Sequence, residues 1–123
     1  MERKKILIVD YEPTNLISLG NRLQKAGYTV VKATNGNDAV SLARNERPDL
    51  IICEVSMPDM DGGDVLSALQ ESPITKHTPF IFHTALVKKE EEKKRNEIMG
   101  KRVIAKPCDP VELLEEVAWH IGK

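Results

Sequence analysis

Two carboxylates, a hydroxyl and an ammonium group occupy matching places in this sequence. Asp10, Glu54, Thr84 and Lys106 each fall at or just past the end of a short apolar stretch. An acid brought opposite a lysine makes an ion pair, and a lysine amine is a point charge on a flexible stem. No Ser-His-Asp or Cys-His arrangement accompanies the four, so the chain does not read as an enzyme.

The elements that position them follow from hydrophobic periodicity. Ile6-Leu7-Ile8-Val9 is a continuous apolar run of the kind buried on both faces of a sheet. A helical stripe of Leu16, Leu19, Leu23 and Ala26 comes next, with Gly27 where a helix should stop. Tyr28 to Ala33 reads as a second strand, Asn35-Gly36 as a turn, and Asp38 to Asn45 as a short helix stopped by Pro48. Leu50 to Val55 is the third strand, followed by the loop Ser56 to Gly63 and a helix around Asp64 to Gln70. Pro79 to His83 and Val103 to Ala105 supply the fourth and fifth strands. Asp109 is a good N-cap, Pro110 suits the first helical position, and Glu112 completes a capping-box spacing for a last helix. That helix carries Leu113, Leu114, Val117, Ala118 and Ile121 on its buried stripe. Strands alternating with helices predict an α/β, doubly wound, five-stranded parallel sheet with helices on both faces. In such sheets functional groups gather at the carboxyl ends of the strands, where all four polar residues converge.

Composition narrows the class. The 123 residues fit one domain, 1–123, and 41% hydrophobic residues suffice for a core. Eighteen Lys and Arg against 19 Asp and Glu leave a formal net charge of -1, which argues against direct nucleic-acid binding. Cys53 and Cys108 are too few for a disulfide framework and lack metal-ligand spacing. The apolar run after Met1-Glu2-Arg3-Lys4-Lys5 is far shorter than a signal-peptide core or membrane span. A soluble, cytoplasmic protein without a membrane partner is the expectation. A nucleotide- or flavin-binding protein of similar architecture would need a Gly- or Ser/Thr-rich loop after the first strand. Asp10-Tyr11-Glu12-Pro13 stands there instead, and its acids would repel phosphate.

Over essentially its whole length the chain resembles the receiver domains of bacterial two-component response regulators. The residues that carry the resemblance are Ile6-Leu7-Ile8-Val9-Asp10, Met57-Pro58-Asp59-Met60-Asp61-Gly62, Thr84-Ala85 and Lys106-Pro107, in family order and at family-like separations. The resemblance implies a flavodoxin-like fold and a role in phosphorelay signal transduction. Its partners would be a histidine kinase or an output protein, and the chain itself a monomer or weak homodimer. In the family, an aspartate ending strand three accepts a phosphoryl group with the help of Mg²⁺, a lysine and a switch threonine. Carried over, the reacting set is Glu54, Thr84 and Lys106, and the metal set is Asp10, Glu54 and Ser56.

Three departures fall on those parts. The acceptor position, counted back from Met57-Pro58, holds Glu54; its extra methylene places the carboxylate roughly 1.5 Å further out. Reacting atoms need to lie within about 3–3.5 Å for in-line transfer, so that displacement matters. Tyr11 replaces the second acid of the metal pair, and Mg²⁺ tolerates loss of an oxygen ligand poorly, so weak or absent binding is expected. Val103 stands where the family carries its switch aromatic. The three together favour natural divergence over one engineered change. They predict a degenerate receiver, a protein-interaction or locked-state module that is not phosphorylated conventionally; the alternative is a conventional Mg²⁺-dependent phosphoacceptor. Glu54 opposite Lys106 is then either a partial imitation of a phosphorylated aspartate or an ion pair in a retired site.

Lys88 to Glu97 is polar throughout, so helix four should be a solvated helix held only by pairs such as Glu90–Lys94 and Glu91–Arg95. Alternation from Thr84 points His83 away from the site as a packed or surface residue. His77 and His120 read as exposed and Cys53 as a buried, inert thiol. Trp119 belongs either to the core or to a dimer face.

Overall fold

The computed structural model describes residues 3–86 and 97–122. Six strands form one sheet in the order β2-β1-β3-β4-β6-β5. They are β1 (Lys5–Val9), β2 (Thr29–Ala33), β3 (Leu50–Cys53), β4 (Phe80–Thr84), β5 (Glu97–Ile98) and β6 (Lys101–Ala105). Four helices accompany them: α1 (Pro13–Lys25), α2 (Gly36–Glu46), α3 (Gly62–Gln70) and α4 (Pro110–Ile121).

The apolar runs are continuous because both faces of the sheet are covered. Leu7, Val9, Ile51, Cys53, Phe80 and Phe82 pack on the side of α2 and α3. Ile6, Ile8, Leu50, Ile52, Ile81 and Ile104 pack on the side of α1 and α4. This strict division by parity is the two-residue period of a strand.

Local sequence sets the boundaries. Gly27, at φ +102, ends α1: its amide reaches Gln24 O at 3.0 Å and the Tyr28 amide reaches Leu23 O at 3.1 Å. That pair of bonds is a Schellman stop, accompanied by the buried Leu23 and Tyr28 side chains. Asn35 caps α2, Asp61 and Asp64 form a reciprocal capping box on α3, and Asp109 caps α4.

The five-stranded expectation needs correction. A sixth strand, β5, pairs antiparallel with β6, with Glu97 opposite Arg102 and Ile98 opposite Lys101. Met99 and Gly100 join them with φ of 53° and 77°, the two positive values of a two-residue type I′ hairpin. The hairpin also extends the last central strand back to Lys101 from the expected Val103. The polar segment assigned to helix four lies outside the described residues except for Glu97, which is in a strand. Trp119 is 82% exposed, which removes it from the core. His120 is half-buried rather than exposed, its Nδ1 lying 2.8 Å from Glu116 O. His77 is exposed as expected. Among the described residues no helix is long and apolar enough to cross a membrane.

The loop from β3 to α3 is held from two sides. The Gly62 amide donates to Val55 O at 2.7 Å, drawing the start of α3 against the end of β3. Asp59 reaches across to α2 and accepts from the amides of Gly36 and Asn37, both at 3.0 Å, and from Asn37 Nδ2 at 3.1 Å. Those backbone bonds hold the Asp59 carboxyl below its usual pKa.

A Cβ on Gly62 would collide with the Glu54 carbonyl oxygen and lie 3.0 Å from Phe82 Cε1. A Cβ on Gly36 would instead meet the Met60 side chain, which can move. Gly62→Ala should therefore cost about 2–3 kcal/mol, as overpacking against backbone does, and Gly36→Ala distinctly less. Urea denaturation of the two variants measures the difference.

Candidate functional site

In the strand order, β1 is flanked by β2 and β3, so the chain leaves it towards opposite sides and a crevice opens at the carboxyl ends of β1 and β3. Asp10 and Glu54 follow those two strands directly, and each is only 6% exposed. Lys106 follows β6 and must reach past β4 to meet them. Its backbone amide donates to Thr84 O at 2.9 Å, which fixes where the stem starts, and the bond to Pro107 is cis.

The ammonium group bridges the two acids. Lys106 Nζ donates to Asp10 Oδ2 and, at 2.9 Å, to Glu54 Oε1. The second Glu54 oxygen turns back on its own chain and accepts from the Val55 amide at 2.6 Å and the Ser56 amide at 3.3 Å. The Asp10 carboxylate also accepts from the Glu12 amide at 3.0 Å and from Asn15 Nδ2 at 3.3 Å. Burial by itself would lower the Lys106 pKa, but its hydrogen bonds to Asp10 and Glu54 and their charges outweigh this, leaving it raised.

The other residues singled out from sequence take different places. Ser56 is exposed and contributes its amide to Glu54. Thr84 is 1% exposed, and its hydroxyl accepts from the Leu86 amide at 3.2 Å. Tyr11 is 45% exposed at the mouth. Val103 is fully buried within the α2/α3 side of the core. Cys53 lies in that same core; burial, with the nearby carboxylates adding to it, raises its thiol pKa, as an inert thiol requires.

His83 is the residue that sequence reasoning placed wrongly. Alternation does turn it away from Thr84, but Asp10 and Lys106 lie on the side it turns towards, and all three line one cleft. The signal was available. Asp10, Glu54 and Lys106 continue the parity of Ile8, Ile52 and Ile104, the residues that share a core face with Ile81 and hence with His83.

A doubly wound sheet with two acids and a lysine at its switch point is the architecture of a phosphorelay receiver, and the sequence comparisons agree. The family of response regulator receiver domains matches residues 6–118, and the chain belongs to it. Protein PilH of Pseudomonas aeruginosa is 34% identical over 118 residues, spanning 92% of this chain and 93% of PilH. Two crystal structures superpose along nearly the full length. One is a response regulator from Chloroflexus aurantiacus, with TM-score 0.86, 30% identity, and 99% and 100% of the two chains covered. The other is the chemotaxis protein CheY4 of Vibrio cholerae, with TM-score 0.84, 28% identity, and 97% and 99% covered.

Lys106→Met would leave two buried carboxylates facing each other without a counter-charge. A loss of about 3 kcal/mol at neutral pH is expected, as for other broken buried pairs, and chemical denaturation would measure it.

Burial, with the Lys106 charge adding to it, lowers the His83 pKa from 6.5 to about 4; Glu54 and Asp10 oppose this in part. Between those values the unfolded chain takes up a proton at His83 that the folded protein refuses. The stability carried by the neutral ring is therefore complete above pH 6.5 and lost as the pH falls towards about 4. Roughly 3 kcal/mol is at stake. Urea midpoints of His83→Leu should show a flatter acid limb than the parent chain over that window.

Proposed function

We propose that this receiver works without conventional phosphorylation, as a protein-interaction module of a two-component pathway held in a single signalling state. The observation that carries the reading is the Lys106 ammonium group seated between Asp10 and Glu54. In a phosphorylated receiver the lysine meets the phosphoryl oxygens and an acid holds Mg²⁺, so both would have to give up their present partners. Here one oxygen of each acid is taken by the lysine, and the other Glu54 oxygen by two amides.

The same atoms fit Mg²⁺ poorly. Mg²⁺ needs near-octahedral oxygen ligation at about 2.0–2.1 Å, and a protonated amine bonded to two prospective ligands would compete with it for their oxygens. Position 11 offers an exposed tyrosine where a third carboxylate would help. No step of the proposed function passes through a metal.

Glu54 serves better as half of an ion pair than as a stand-in for phosphoaspartate. A mimic would engage the Thr84 hydroxyl, yet among the described residues that hydroxyl makes no bond to Glu54 and only accepts from the Leu86 amide. Val103 in the core leaves no aromatic on β6 to relay a threonine movement to the surface. The partners are a histidine kinase or an output protein of the pathway, met in the cytoplasm, with the chain a monomer or weak homodimer.

The test is intact mass after incubation with acetyl phosphate and Mg²⁺, alongside Glu54→Asp. The parent chain is expected to keep its own mass. A phosphoryl group on the parent would restore the conventional reading. A gain confined to Glu54→Asp would assign the block to the side chain at 54 alone and favour a locked regulator over a retired site.

A further inference from the structure

Beside the ion triad, a cleft of about 300 Å³ runs between α1 and the connection from β6 to α4. Its floor is Ile8, Ile52 and His83, one from each of β1, β3 and β4. One wall is the face of α1 that carries Asn15, Ser18, Leu19 and Arg22. The other is made by Pro107, Cys108 and Leu113. At 1.5 Å per helical residue, Asn15 and Arg22 stand about 10 Å apart along the wall. The volume is at the lower end of that of small-molecule sites, and such sites share this mixture of apolar lining and few polar groups.

The polar groups differ at the two ends. Asp10 and Lys106 line the upper end, where the lysine charge is already matched by two carboxylates and Asp10 would repel an anion. Arg22 lines the lower end; it is exposed and makes no ion pair among the described residues. His83 has a buried ring nitrogen, Nε2, with no hydrogen-bond partner among the described residues. That nitrogen has almost no accessible surface, so the part of the ring that lines the cleft is presented as an uncharged, largely apolar face.

We infer that this cleft binds a small amphiphilic carboxylic acid. Its carboxylate pairs with Arg22, its apolar body lies along Leu16 and Leu19, and its uncharged other end lies against the His83 ring. Charge sets the orientation, because the opposite one would bring the carboxylate to Asp10. The ring suits that contact, since its lowered pKa keeps it uncharged near pH 7. Such a ligand would give a receiver an input other than a phosphoryl group. The site is independent of what Glu54 does, so its failure would leave the phosphorylation reading standing.

The experiment is an amide NMR titration of the whole chain with 4-hydroxyphenylacetate as probe. Its amide, 4-hydroxyphenylacetamide, is the uncharged control. Shifts should concentrate at Leu19, His83 and Cys108. Arg22→Gln should weaken binding about tenfold, as loss of a charge-assisted contact does. Ser18→Phe, a change at an exposed position that plugs the mouth, should abolish it, and the same spectra report whether that variant is folded. The neutral amide should bind about tenfold more weakly than the acid. Absence of shifts at millimolar probe, shifts centred elsewhere, or affinity untouched by Ser18→Phe would each overturn the site.

Discussion

A lysine ammonium group withdrawn from water between two carboxylates is the constraint around which the functional end of this molecule is arranged. The acids come from β1 and β3 and the lysine from β6, so the interaction ties together strand ends that are not all neighbours. A buried carboxylate is tolerated only when its charge and its lone pairs are met. One ammonium group cannot neutralise two acids. The remaining charge falls to the amides of Glu12, Val55 and Ser56, which the loops after β1 and β3 aim at the carboxylate oxygens.

The parity of the strands decides what shares space with that triad. Thr84 belongs to the side of α2 and α3, whereas Asp10, Glu54, Lys106 and His83 belong to the side of α1 and α4. A threonine switch has to work across the sheet edge, from a hydroxyl that accepts from the Leu86 amide. The cleft needs no such crossing, because it opens directly beside the triad.

Much of the fold was legible because its signals are local or strictly periodic. The runs at Ile6 and Leu50, the glycine after α1, and Asp109-Pro110 ahead of α4 each have a single reading in a packed α/β domain. The convergence of Asp10, Glu54 and Lys106 was legible for the same reason, since strand ends in a parallel sheet must meet at one rim. The hairpin of β5 and β6 was not. Met99 carries a left-handed backbone that its side chain does not advertise, and two-residue strands have no period to detect. His83 was misplaced because Thr84 was taken as the reference for the site, when the parity of the isoleucines gave the better one. The Asp59 clasp escaped notice because its partners, Gly36 and Asn37, lie more than twenty residues away in sequence.

That clasp has an evolutionary consequence. Asp59 fastens the far part of the loop after β3 to α2 without a bond of its own to the triad, so that part keeps an anchor separate from the charges in the pocket. A lineage can lose the acceptor aspartate, and the second acid with it, while the relief that partner proteins recognise persists. Inheritance of shape and inheritance of chemistry are thereby separable, and drift in the one need not erase the other.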